Sequence, residues 1–110
     1  SEISWMAEKI VNLRIFEDSE GAMNVSLFDI HKEMLIVSQF TLYGDCRKGR
    51  RPGFSGAAPP HLAEPLYLQF VDKVEQMGIQ TATGKFGAMM EVHLINDGPV
   101  TLLLDSDKTF

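Results

Sequence analysis

The stretch Met34-Leu35-Ile36-Val37-Ser38-Gln39-Phe40-Thr41-Leu42 constrains the chain most, because it begins as a core strand and ends in polar groups. Leu35, Ile36 and Val37 are apolar on both faces of an extended segment, the pattern of a central strand covered on two sides. Ser38, Gln39 and Thr41 break that pattern at one end. Two hydroxyls and an amide there cost stability unless each finds a hydrogen-bond partner. Two readings follow. In the simpler one the hydroxyls bond neighbouring backbone and Gln39 points to water; in the other the three groups serve a site.

A covered strand needs elements to cover it. With 110 residues, 45% of them apolar, the chain is expected to form one domain over residues 1–110 with a real core. Ile3, Met6, Ile10 and Leu13 recur at helical spacing and predict an amphipathic helix whose stripe needs a sheet. Asp18-Ser19-Glu20-Gly21 reads as a turn, after which Met23, Val25 and Leu27 alternate as a half-buried strand. His31-Lys32-Glu33 is the next turn, so the central strand is expected to pair antiparallel with the strand before it. Leu62, Leu66, Phe70, Val74 and Met77 mark a second helix closed by Gly78. Pro65 opposes the carbonyl of His61 and predicts a distorted or late start.

Beyond that helix, Ile79 to Thr83 reads as a short strand. Met90, Val92 and Leu94 alternate with Glu91, His93 and Ile95 as another, half-buried one. Asn96-Asp97-Gly98-Pro99 turns the chain, Val100 to Leu104 forms a last strand, and the tail after Asp105 reads as loose. The expected fold is therefore mixed α/β, α+β-like: a single layered domain with a mixed, largely antiparallel sheet and packed helices.

Tyr43 to Pro60 is a long loop containing Gly and Pro, and it carries Arg47, Lys48, Arg50 and Arg51. Four cations in five residues suit phosphate oxygens, or form a solvated loop. The net charge of −5 argues against a generally basic nucleic-acid coat. Cys46 is the single cysteine and makes no internal disulfide, and no apolar run approaches a membrane span, so a cytoplasmic location without membrane attachment is expected. The chain opens at Ser1 without Met, as a processed or truncated piece would.

No Gly-rich phosphate cradle and no paired Cys or His at metal spacing occur, so neither metal nor organic cofactor is expected. His31, His61 and His93 stand far apart, and a lone strand His is more often a surface residue than a catalyst. Gly98-Pro99 reads as a turn, or as a bare backbone surface set tightly against a small substrate group.

Taken together, Ser38-Gln39-Phe40-Thr41-Leu42 and Asn96-Asp97-Gly98-Pro99-Val100-Thr101 resemble the D-aminoacyl-tRNA deacylases. The resemblance is extended by Leu13-Arg14-Ile15-Phe16-Glu17-Asp18, Arg50-Arg51-Pro52 and Thr83-Gly84-Lys85-Phe86-Gly87-Ala88. It implies hydrolysis of the ester joining a D-amino acid, or glycine mischarged on tRNA-Ala, to the tRNA 3′ end. It also implies a homodimer with active sites at the subunit interface. The family's Ser-Gln-x-x-Leu motif falls on Ser38, Gln39 and Leu42, with Thr41 the hydroxyl once proposed as nucleophile in such enzymes; since no base lies near Ser38 or Thr41 in sequence, Ser38 and the backbone N–H of Phe40 are expected instead to face the scissile carbonyl. Gly98 and Pro99 match a Gly-cisPro motif, followed by Thr101, that binds substrate in the partner's site. Phe86 and Met90 match pocket-lining positions, and Arg47, Lys48, Arg50 and Arg51 are the expected phosphate contacts.

The sequence departs from the family pattern twice. Gly53 stands where Ser is usual, and the strands that normally precede Ser1 are not in the chain. An incomplete sheet would expose an unpaired edge and apolar surface. A catalytically silent tRNA-end-binding module is therefore the alternative expectation, and a purely structural dimerisation domain a third.

Overall fold

The computed structural model describes residues 1–109. Helix α1 (Glu2–Asn12) starts where Ser1 accepts a hydrogen bond from the Ser4 N–H at 3.4 Å. Glu2 in its first turn and Lys9 in its last complement the helix dipole. Its apolar stripe is centred on Ala7 and Val11, both fully buried, with Ile3, Met6, Ile10 and Leu13 half-buried beside them. It packs chiefly on another helix, α3 (Pro60–Gln76), in addition to the rest of the core. Ala7, Val11, Leu27, Ile36, Val71, Val74 and Ile79 form the buried centre.

Strands β1 (Phe16–Glu17) and β2 (Met23–Val25) form a short antiparallel ladder, Phe16 opposite Val25. Asp18 closes the turn between them by accepting from the N–H groups of Glu20 (2.9 Å) and Ala22 (3.0 Å), which holds its carboxyl below the usual range. The expected pairing of β2 with the central strand does not occur. A one-turn helix, α2 (Leu27–Ile30), intervenes, set by a reciprocal cap. The Asp29 N–H donates to Ser26 Oγ at 3.1 Å, and the Ser26 N–H donates to Asp29 Oδ2 at 3.0 Å. His31, at φ 48°, ends it in the left-handed region.

Strand β3 (Glu33–Ile36) pairs in parallel with β4 (Gln80–Thr83), in register from Glu33–Gln80 to Ile36–Thr83, and α3 supplies the crossover. Mixed α/β organisation therefore holds. In place of one largely antiparallel sheet, the described strands make two separate ladders, one antiparallel and one parallel. Coverage of β3 is also one-sided: Ile36 is buried while Leu35 is 56% exposed.

Helix α3 begins at Pro60, without the late start, and keeps Pro65 inside its second turn. Gly78, at φ +86°, follows its end and donates to the Glu75 carbonyl at 3.0 Å. Its inward face runs through Ala63, Tyr67, Phe70, Val71 and Val74, leaving Leu62 and Leu66 exposed.

Neither Met90–Ile95 nor Val100–Leu104 enters a ladder, and Met89, Ile95 and Leu103 lie open. Alternation shapes a strand's faces, but a strand persists only against a neighbour, and these segments pair with none of the described strands. The tail is less loose than expected: the Asp105 carboxylate accepts from the Asp107 N–H and the Thr109 hydroxyl, and Lys108 Nζ lies 5.4 Å from the centre of the Trp5 ring. The accessible surface is 8939 Å², against about 6,100 Å² for a folded monomer of this mass.

Candidate active site

Where β3 ends the chain leaves the sheet, and Phe40–Tyr43 turn once as a 3₁₀ helix. That turn, the start of α3 and the segment after β4 line a cavity of about 860 Å³ that opens widely to solvent. Ser38, Gln39, Phe40, Phe86 and Met90, all singled out from the sequence, line it. Aromatic rings dominate the wall: Phe40 meets Phe54 edge-on at 5.2 Å, and Tyr67 lies 5.9 Å from Phe86.

Tyr67 was missed by the sequence reading, as were Tyr43 and Phe54. The signal for Tyr67 was available, because Ala63, Tyr67, Phe70 and Val74 repeat at helical spacing as well as the chosen stripe does. Its hydroxyl donates to the Ile36 carbonyl at 2.7 Å, tying α3 to the strand end two residues before Ser38. Gly44 closes the turn, and a Cβ there would lie 3.0 Å from the Thr41 carbonyl oxygen and 3.1 Å from the Phe54 ring.

The polar groups are arranged simply. Gln39 Nε2 donates to Thr41 Oγ1, so Gln39 holds a hydroxyl and does not merely face water. Among the described residues neither Ser38 nor Thr41 has a histidine or carboxylate hydrogen-bond partner, and His93 is paired with Glu91 at 3.2 Å. Phe40 is the first residue of its turn, so its N–H has no partner within the turn. Thr41, Gly98, Pro99 and Thr101 do not line the cavity. Gly98, at φ +132°, bends the chain, and Asn96 Nδ2 donates to Thr101 Oγ1 at 3.3 Å across that bend. The Gly98–Pro99 bond is trans, as are all the described peptide bonds, where the resemblance implied cis.

The basic residues also stand outside the cavity, on a loop closed by two backbone hydrogen bonds between Asp45 and Gly53, 2.7 and 2.9 Å long. Nothing lies within 4 Å of a Cβ at Gly53, so the family's usual Ser would fit. Arg47 is engaged: Nε and Nη2 each donate to the Asp45 carboxylate at 2.9 Å. Those bonds hold the Asp45 carboxyl below its ordinary range. Lys48, Arg50 and Arg51 have no ionic partner among the described residues.

The structure thus sets an aromatic-walled cavity at the end of β3, with a loop rich in Arg and Lys outside it. A family model described as D-Tyr-tRNA(Tyr) deacylase matches residues 1–105, and the chain belongs to that family of aminoacyl-tRNA hydrolases. The D-aminoacyl-tRNA deacylase of Desulfatibacillum aliphaticivorans is 66% identical over 105 residues, covering 96% of this chain and 72% of that protein. The D-aminoacyl-tRNA deacylase of Clostridioides difficile (strain 630) is 62% identical over 110 residues, covering 100% and 74%. A solved structure of a c-Myc DNA Unwinding Element Binding Protein superimposes with a TM-score of 0.84 at 42% identity, covering 94% of this chain and 70% of that one. No helix among the described residues is long and apolar enough to cross a membrane.

Proposed function

We propose that this chain is a cytoplasmic D-aminoacyl-tRNA deacylase, a single deacylase-type domain over residues 1–110 that hydrolyses the ester between a D-amino acid, or glycine, and the tRNA 3′ adenosine. The observation that carries this reading is the convergence of Ser38, Gln39, Phe40, Phe86 and Met90 on one cavity of about 860 Å³. The aromatic and thioether lining suits a side chain and a terminal base. The basic loop outside it suits the acceptor-end phosphates, with Lys48, Arg50 and Arg51 available and Arg47 shared with Asp45.

Chemistry at the ester needs little from side chains. A Ser or Thr hydroxyl is a weak nucleophile unless a base activates it, and Ser38 and Thr41 have none bonded to them. Ser38 and the Phe40 N–H therefore face the scissile carbonyl and stabilise its developing negative charge. Gln39 positions the adenosine, and the neighbouring ribose 2′-hydroxyl activates the attacking water. The ester C–O bond breaks, releasing free amino acid and a tRNA with its 3′-hydroxyl restored.

Exposed apolar surface supports a homodimer. Leu42, Met89, Ile95 and Leu103 supply it, and the total accessible surface, polar and apolar together, exceeds that of a folded monomer by about 2,800 Å². In that dimer Gly98, Pro99 and Thr101, on the open C-terminal segment, approach the partner's cavity and select chirality there. Incubation with D-Tyr-tRNA and L-Tyr-tRNA is the test. Release from the D substrate alone is expected; binding without release of either would instead favour a silent tRNA-end-binding module.

A further inference from the structure

We infer that Tyr67 is a positioning residue for deacylation: its hydroxyl fixes the end of β3 against α3 and so aims Ser38 and the Phe40 N–H at the scissile carbonyl. This rests on the deacylase reading of the cavity. The pairing of β3 with β4 ends at Ile36–Thr83, and the chain from Val37 to Gln39 belongs to no ladder or helix before the turn at Phe40. Ser38 stands in the middle of that short span. Tyr67 Oη donates to the Ile36 carbonyl at 2.7 Å, across 31 positions of sequence and in partly buried surroundings. The bond therefore holds the near end of the span, and the 3₁₀ turn holds the far end.

Packing alone does not explain the hydroxyl. Phe70 and Val74, one and two turns further along the same face of α3, meet the core without a polar atom. The Tyr67 ring lies 5.9 Å from that of Phe86, a contact a phenylalanine would also make. A partly buried hydroxyl costs stability unless it is bonded, and the Ile36 carbonyl is the acceptor it uses. Pro60 and Ala63 line the cavity together with Tyr67, so the bond fixes the helical wall relative to the strand end that leads to the oxyanion donors. Such donors act only when they meet the developing charge at about 2.7–3.1 Å, and a misplacement of about 1 Å can cost about 10²-fold in rate. Loss of the tether with the ring kept in place should cost less than that.

Tyr67→Phe keeps the ring and removes the donor. It should lower kcat for D-Tyr-tRNA roughly tenfold, with KM and the affinity for D-tyrosyl 3′-amino-adenosine within about twofold, because the lost interaction counts in the transition state. Replacement of Tyr67 by 4-aminophenylalanine restores a donor at the same place and should return kcat to within about twofold of wild type. Ser26→Ala, which removes a helix cap outside the cavity, should lower the unfolding midpoint comparably and leave kcat unchanged. An unchanged kcat in Tyr67→Phe, a loss of analogue binding along with kcat, no rescue by the amine, or an equal loss of kcat in Ser26→Ala would overturn the assignment. If the wild-type protein cleaves no D-aminoacyl-tRNA, the deacylase reading fails, and the tether is decided by amide NMR. The Ser38 and Phe40 amides must then shift in Tyr67→Phe and return with the amine; amides that stay in place refute it.

Discussion

Salt dependence of tRNA binding offers a quantitative check on the loop closed by Asp45 and Gly53. Arg47 is tied through two 2.9 Å bonds to a carboxylate, leaving Lys48, Arg50 and Arg51 available. Three contacts to single-stranded RNA give a log–log slope of about −2, an affinity loss of about 16-fold between 50 and 200 mM salt. Arg50→Ala with Arg51→Ala should flatten the slope to about −0.7, a loss of under about threefold over the same range. Asp45→Asn should release Arg47 and steepen the slope to about −3. Because hydrogen bonds from Arg47 hold the Asp45 carboxyl below its ordinary 3.8, the pair is intact at neutral pH, where the titration belongs. Fluorescence anisotropy of end-labelled tRNA reads all three slopes. An unchanged slope in the double variant would remove the loop from the binding surface, and an unchanged slope in Asp45→Asn would mean that the pair already opens to bind RNA.

Other consequences are equally direct. Thr41→Ala should lose less than about tenfold in deacylation rate, where removal of a true nucleophile costs about 10⁴-fold or more; single-turnover kinetics distinguish the two. A D-aminoacyl-tRNA ending in 2′-deoxyadenosine should bind but be hardly cleaved, and full turnover of it would refute the role given to the ribose hydroxyl. Ser26→Ala should cost about 1 kcal/mol, because buried Ser26 caps α2, and lower the midpoint of thermal unfolding by about 4–6 °C in calorimetry. Asp29 is held below 3.8 by hydrogen bonds from the Ser26 backbone and then its side chain. It therefore contributes stability that is present above that value and lost as pH falls through the lowered one, so Ser26→Ala should shrink the acid-side drop in denaturant midpoint. Sedimentation should show a dimer, with deacylation lost on dilution to monomer.

Legibility from sequence followed how local each interaction is. Helix α1, the β1–β2 turn and the Gly78 stop depend on neighbours within a few residues, and their signals sat in Ser1, Asp18 and Gly78 themselves. The capping of α2 was equally local, yet the alternation of Met23, Val25 and Leu27 masked the Ser26-x-x-Asp29 signature and turned a helix into a hairpin partner. Pairing of β3 with β4 lies across a whole helix, and no residue in Leu35-Ile36-Val37 announces its neighbour. Apolar patterning named Met90 to Ile95 and Val100 to Leu104 as strands, but patterning cannot supply the strand they would join. At the site, Ser38, Gln39, Phe40, Phe86 and Met90 were named from motif resemblance, and the structure brings them to one cavity. Tyr67 and Asp45 were not named, since a tyrosine in a helix stripe and an aspartate beside a basic run each read as ordinary surface chemistry.

Binding of a non-cleavable D-tyrosyl 3′-amino-adenosine, followed by amide and methyl NMR, tests most directly whether the cavity is where the ester is held. The expected result is a saturable shift of the Phe40 amide together with the Met90 methyl and the Phe86 ring, with the L isomer leaving all three in place. Shifts confined to the apolar groove beside β3, among Ile10, Phe16, Leu35 and Phe70, with the cavity silent, would contradict it.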